Sequence, residues 1–122
     1  MIEINMNTAR FKLTVKGHAT AEESEQYKEI CASASALAQS LLYSISKFNT
    51  DEKQALKSLE YRRDFGDMMV RAWPEEWAEH SIRKRFQIYG DGLELLARSH
   101  PVSVHMIWDG EEIIPEEGSE NE

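Results

Sequence analysis

The chain has 122 residues, 41% of them hydrophobic and 30% charged, with a net charge of −8 and one cysteine. That size suits one domain around one core, and a single cysteine makes no internal disulfide. No apolar run reaches membrane-spanning length and Met1-Ile2-Glu3-Ile4-Asn5 lacks the layout of a secretory leader, so the expectation is a cytoplasmic protein without a membrane partner.

Ile2, Ile4 and Met6 alternate with Glu3, Asn5 and Asn7, and Phe11, Leu13 and Val15 alternate with Lys12, Thr14 and Lys16. A period of two is that of half-buried strands, and the polar break at Asn7-Thr8-Ala9-Arg10 makes the pair a hairpin. The second strand delivers Gly17-His18 at its end, where Gly lets the chain turn away. Residues 19–28 are polar and acidic, a surface loop with a short helical turn expected at 22–27. Ile30, Ala34, Leu37, Leu41, Ile45 and Phe48 then recur at spacings of three and four, which predicts a helix closed by Asn49-Thr50-Asp51.

Leu59, Tyr61 and Arg63, then Asp64-Phe65-Gly66-Asp67, then Met68, Val70 and Ala72 read as a second hairpin. Pro74 followed by Glu75 and Glu76 is a helix-start signal. Ile82, Phe86, Tyr89, Leu93 and Leu96 continue that helix to Ser99; Gly90 and Gly92 interrupt the stripe and leave room for a kink or break. His100-Pro101 stops it, and residues 102–108 form a last strand. The expected fold is α+β, a mixed or antiparallel five-stranded sheet in ββαββαβ order with two helices packed on one face.

The acidity is concentrated at the end. Residues 109–122 carry seven acids and no Lys or Arg, leaving 15 acids against 14 bases in residues 1–108. The expected organisation is therefore one domain over 1–108 and an acidic, disordered tail over 109–122. Such a tail argues against a nucleic-acid partner.

Cys31 stands 13 residues after His18 and opens the apolar helical segment Cys31-Ala32-Ser33-Ala34-Ser35. A thiol at a helix N-terminus is easier to ionise, backbone N–H groups there stabilise an oxyanion, and a histidine at a strand end could take the proton. A lone helical cysteine is otherwise most often a small buried hydrophobe. Ser35, one turn on, either orients the site or bonds back to its own helix. Glu22, Glu23, Glu25 and Glu29 are all within reach by sequence and none is singled out as a triad acid. His80, His100 and His105 form no metal-ligand spacing with Cys31, so no metal or other cofactor is expected. Trp73, Trp77 and Trp108 are either groove-lining residues or core and interface anchors.

Val15-Lys16-Gly17-His18-Ala19, the polar loop, and Ile30-Cys31-Ala32-Ser33-Ala34-Ser35 together resemble the ribosomal-processing cysteine protease (Prp) family. Its signature is Gly-His-Ala, a mobile loop, then Cys-Ala-small-aliphatic-Ser. The likeness in element order runs over about residues 2–108. Lys28 replaces the family's usual acid three before the cysteine and Ala34 a bulkier aliphatic, while nucleophile and base are kept. The resemblance implies a cysteine endopeptidase with a Cys31–His18 dyad, Gly17 and Ser35 in support, and Ala19, Glu22, Glu23 and Tyr27 on a substrate loop. It also implies a homodimer that removes a short N-terminal extension from a ribosomal large-subunit protein or, in phage relatives, a capsid or scaffold protein. The rival reading is a non-catalytic peptide-binding or assembly adaptor on the same fold, which has no need of an activated thiol.

Overall fold

The computed structural model describes residues 1–51 and 54–115. Strands β1 (Ile2–Asn7) and β2 (Lys12–Gly17) pair antiparallel, followed by helix α1 (Tyr27–Asp51). Strands β3 (Leu56–Asp64) and β4 (Asp67–Pro74) form the second hairpin, a 3-10 turn at Glu76–Ala78 leads into helix α2 (Glu79–Ser99), and β5 (Val104–Trp108) and β6 (Glu111–Ile113) complete the chain. The sheet order is β3-β4-β2-β1-β5-β6, mixed because β5 runs parallel to β1.

The period-two pattern decides which face is covered. Ile2, Ile4 and Met6 are buried while Glu3 and Asn5 are exposed, and the cross-strand partners Val15 and Leu13 on β2 and Val104 and Met106 on β5 share the buried side. Both helices pack on that face, α1 through Ile30, Ala34, Leu41 and Ile45 and α2 through Ile82, Phe86 and Leu93. The α+β class with two helices on one side of a sheet is therefore as expected.

Two expectations need correction. The sheet has six strands, not five, because the acidic stretch after Trp108 begins inside it. Asp109 and Gly110 both take positive φ (51° and 84°), the conformation of a tight hairpin turn, and return the chain as β6 against β5. Asp109 is further anchored by the backbone N–H (2.7 Å) and hydroxyl (2.6 Å) of Thr8, both donating to its carboxylate. A boundary at 108 thus cuts a hairpin; residues 116–122 of the expected tail lie outside the described residues. Second, α2 runs unbroken through Gly90 and Gly92. Each glycine costs a helix about 1 kcal/mol of propensity, but burying Phe86 and Leu93 completely contributes roughly 1.5–3 kcal/mol apiece. The glycines are where partners come close: a Cβ on Gly90 would lie 2.7 Å from the Trp108 ring, and one on Gly92 the same distance from Leu37 of α1.

Candidate active site

Three elements converge at one end of the sheet. β2 ends at Gly17 (φ +88°), whose turn presents His18 at the surface. α1 crosses beside it and contributes Cys31, half-buried. The tip of the β3–β4 hairpin, Phe65-Gly66, closes the third side, because β2 pairs with β4 down to Lys16 opposite Asp67 and the Gly17 N–H donates to the Gly66 carbonyl at 2.9 Å. Between them lies a cavity of about 240 Å³ whose walls include His18, Cys31, Ser35, Gln39, Arg63, Phe65 and Met68. The two residues singled out from the sequence therefore face one hollow.

The thiol's hydrogen bond goes to the Ala19 carbonyl oxygen, 3.7 Å from Sγ. The His18 ring instead stacks on Phe65, with centroids 4.4 Å apart and planes at 38°. Among the described residues, the histidine paired with carboxylates is His105, between Glu3 and Glu112, not His18. Ser35 bonds neither to the thiol nor to a preceding carbonyl of its helix: its hydroxyl accepts from Gln39 Nε2, one turn on along α1, at 2.9 Å and donates to Met68 Sδ at 3.8 Å.

Cys31 does not open the helix. α1 starts at Tyr27, where the Tyr27 N–H bonds the Ser24 carbonyl and the Ser24 hydroxyl accepts from the Gln26 N–H. Cys31 thus sits in the second turn with its own N–H in the helical ladder, and the unpaired N–H groups lie about one turn, roughly 5 Å, away. Tyr27 and Lys28 fall in the expected polar loop over 19–28, yet the helix takes them in, extending the Ile30 stripe by a turn and placing Glu29 in the first turn, where an acid suits the helix dipole.

The loop residues divide. Ala19 is buried and lends its carbonyl to the thiol. Glu22 is exposed. Glu23 turns to the N-terminus, its carboxylate accepting from the Met1 ammonium at 2.6 Å while the same ammonium donates to the His18 carbonyl at 2.7 Å. That ammonium holds the Glu23 carboxyl below its ordinary value. Tyr27 packs on the core from the first turn of α1. Glu22, Glu23 and Tyr27 do not line the cavity.

Sequence reasoning missed Phe65, Gly66, Arg63 and Gln39. Asp-Phe-Gly-Asp signals a hairpin turn, but only the long-range pairing of β4 with β2 brings that turn onto His18. Gln39 and Arg63 also border a second hollow of about 640 Å³ that continues along α1 past Tyr43, Tyr61 and Tyr89. The tryptophans are elsewhere: Trp108 lies against Gly90, Trp73 under the Arg71 guanidinium, and Trp77 is exposed near Phe48. Among the described residues no group of three or more His, Cys, Asp or Glu side chains could hold a metal ion, and no helix is long and apolar enough to cross a membrane.

No protein-family model matches the sequence, and no curated protein does. Solved structures do match in fold. The ribosomal processing protease Prp of S. aureus superposes with a TM-score of 0.60 in its complex with a substrate peptide and 0.58 in a complex with a covalently linked product peptide, each at 12% identity over 88% of this chain and 99% of that one. The protein SMU.848 of Streptococcus mutans superposes with a TM-score of 0.57 at 17% identity, over 93% of this chain and 91% of its own. The chain shares the Prp fold.

Proposed function

We propose that this protein is a cysteine endopeptidase that removes a short N-terminal extension from a specific protein, with Cys31 as nucleophile and His18 as general base and then acid. The observation that carries the reading is that a half-buried thiol and a strand-end imidazole share one cavity, in a fold it has in common with a peptidase solved with a product peptide covalently attached. The second hollow, which shares Gln39 and Arg63 with the first as wall residues, supports an extended peptide rather than a small molecule as substrate.

In this reading His18 takes the Sγ proton, the thiolate attacks the scissile carbonyl carbon, and the imidazolium returns the proton to the departing amine as the C–N bond breaks. Water, deprotonated by His18, then hydrolyses the thioester and releases the acid and the free thiol. The step requires the Sγ hydrogen bond to pass from the Ala19 carbonyl to His18. Dyad chemistry needs no cofactor. The substrate class is a ribosomal large-subunit protein or a phage capsid or scaffold protein, and the enzyme is a cytoplasmic homodimer, a compartment that keeps a catalytic thiol reduced.

The adaptor reading is favoured by one observation, the thiol's bond to Ala19 rather than to an imidazole. Iodoacetamide alkylation against pH, together with incubation with N-terminal peptides of candidate proteins and sequencing of the products, separates the two. Reaction near neutral pH and a single cut support the peptidase; a thiol that reacts only in denaturant, with intact peptides, establishes the adaptor.

A further inference from the structure

Phe65 is the most exposed large apolar side chain among the described residues, at 80%. It crowns a two-residue hairpin turn, a position where a polar residue would cost nothing in packing. Its ring contact is the imidazole of His18. Gly66 completes the seat: an added Cβ there would overlap the Nε2 and Cε1 atoms of His18. The turn is itself fixed relative to His18, by the Gly17 N–H on the Gly66 carbonyl and by the Lys16–Asp67 pairing.

His18 lies one residue beyond its strand, on the surface. A free imidazole there turns about its side-chain bonds, and a general base works only within a narrow range of approach to its proton. In histidine-dependent sites a carboxylate or carbonyl commonly fixes the ring; among the described residues the carboxylates that pair with a histidine, Glu3 and Glu112, are on His105, not on His18. We infer that Phe65 is a positioning residue, an aromatic shelf that, with Gly66, holds the His18 imidazole facing the Cys31 cavity. The inference rests on the dyad reading above.

The test compares the full chain with its His18→Ala, Phe65→Ala and Phe65→Tyr variants, using iodoacetamide on Cys31 across pH 5–9 and a peptide that the wild type cleaves. Because the Phe65 side chain is exposed, its removal leaves the unfolding transition unchanged, which circular dichroism checks. Phe65→Ala is expected to lose roughly tenfold or more of the His18-dependent rate and of kcat with little change in KM, while Phe65→Tyr keeps both. Phe65→Ala with the wild-type alkylation profile and kcat overturns the shelf, as does a rise in KM alone, which would make Phe65 a substrate contact. If wild type and His18→Ala alkylate alike at every pH, the dyad has failed and takes the shelf with it; if they differ and Phe65→Ala follows wild type, only the shelf has failed.

Discussion

The Sγ of Cys31 donates its hydrogen bond to the carbonyl oxygen of Ala19, the residue directly after His18. In the peptidase reading proposed above, the backbone carbonyl and the neighbouring imidazole compete for that single proton. Catalysis by the pair requires the imidazole to win it, and each residue alone then has nothing to act on. Cys31→Ala and His18→Ala are each expected to lower peptide cleavage by at least about 10²–10⁴-fold, and the double variant by no more than the worse single one, because residues acting as a unit are non-additive. Turnover numbers for the three variants check this; losses that multiply would show that the two residues act separately.

The loop between them is tethered rather than loose. Its internal turn bonds, the Glu23 and Ser24 N–H groups to the Thr20 carbonyl, are joined by the Glu23 carboxylate on the Met1 ammonium. The ammonium lowers the Glu23 carboxyl from 4.5. A lowered carboxyl contributes stability above its unfolded value and loses it as pH falls through the folded value, so the tether is intact at neutral pH and released in acid. Glu23→Gln is expected to speed amide exchange across residues 19–26 at pH 7 and to bring little further change on acidification. Equal exchange in both proteins at pH 7 would show the turn bonds alone hold the loop.

On the open face of the sheet the linkage has the opposite sign. His105 Nδ1 lies 2.8 Å from Glu3 and Nε2 3.1 Å from Glu112, tying β5 to its neighbours. The Glu3 hydrogen bond chiefly raises the imidazole above 6.5, against partial desolvation, and Glu112 adds to the rise. A raised histidine contributes fully below its unfolded value and loses that contribution as pH rises through the folded value. The thermal midpoint should therefore fall with rising pH above about 6.5, and a Glu3→Gln, Glu112→Gln variant should flatten that slope. The same slope in both proteins would place its origin in other groups.

The readable parts of the sequence were those with a local cause. Alternation in residues 2–16 and the three-four stripe from Ile30 to Ile45 each follow from burying one face, and burial of Ile2, Ile4, Met6, Leu13, Ile30, Leu41 and Ile45 bears them out. Composition misled where it masked geometry: the acids around Asp109-Gly110 read as tail, although Asp-Gly is a hairpin turn signal. Local pattern also set His18 and Cys31 apart. It gave no hint of Phe65 or Arg63, since these reach the cavity through the β2–β4 pairing, some fifty residues apart in sequence.

In the peptidase reading, a substrate chain passing from the first hollow to the second leaves the thiol beside Arg63. Arg63 borders both hollows with Gln39, and its guanidinium lies 5.7 Å from the Tyr61 ring centroid without an ion pair among the described residues. An extended peptide advances about 3.3 Å per residue, so chains reaching several residues past the cut on one side enter the Tyr43, Tyr61 and Tyr89 hollow and shorter ones do not. In a nested series, the longer peptides should have the lower KM in the wild-type protein. Arg63→Ala should raise that KM by roughly three- to tenfold, the size of one partly exposed polar or cation–π contact, and leave the KM of the shortest cleavable peptide unchanged. The decisive quantity is the difference between the two effects. If Arg63→Ala weakens long and short peptides equally, the second hollow does not hold the substrate and the chain leaves the thiol on its other side.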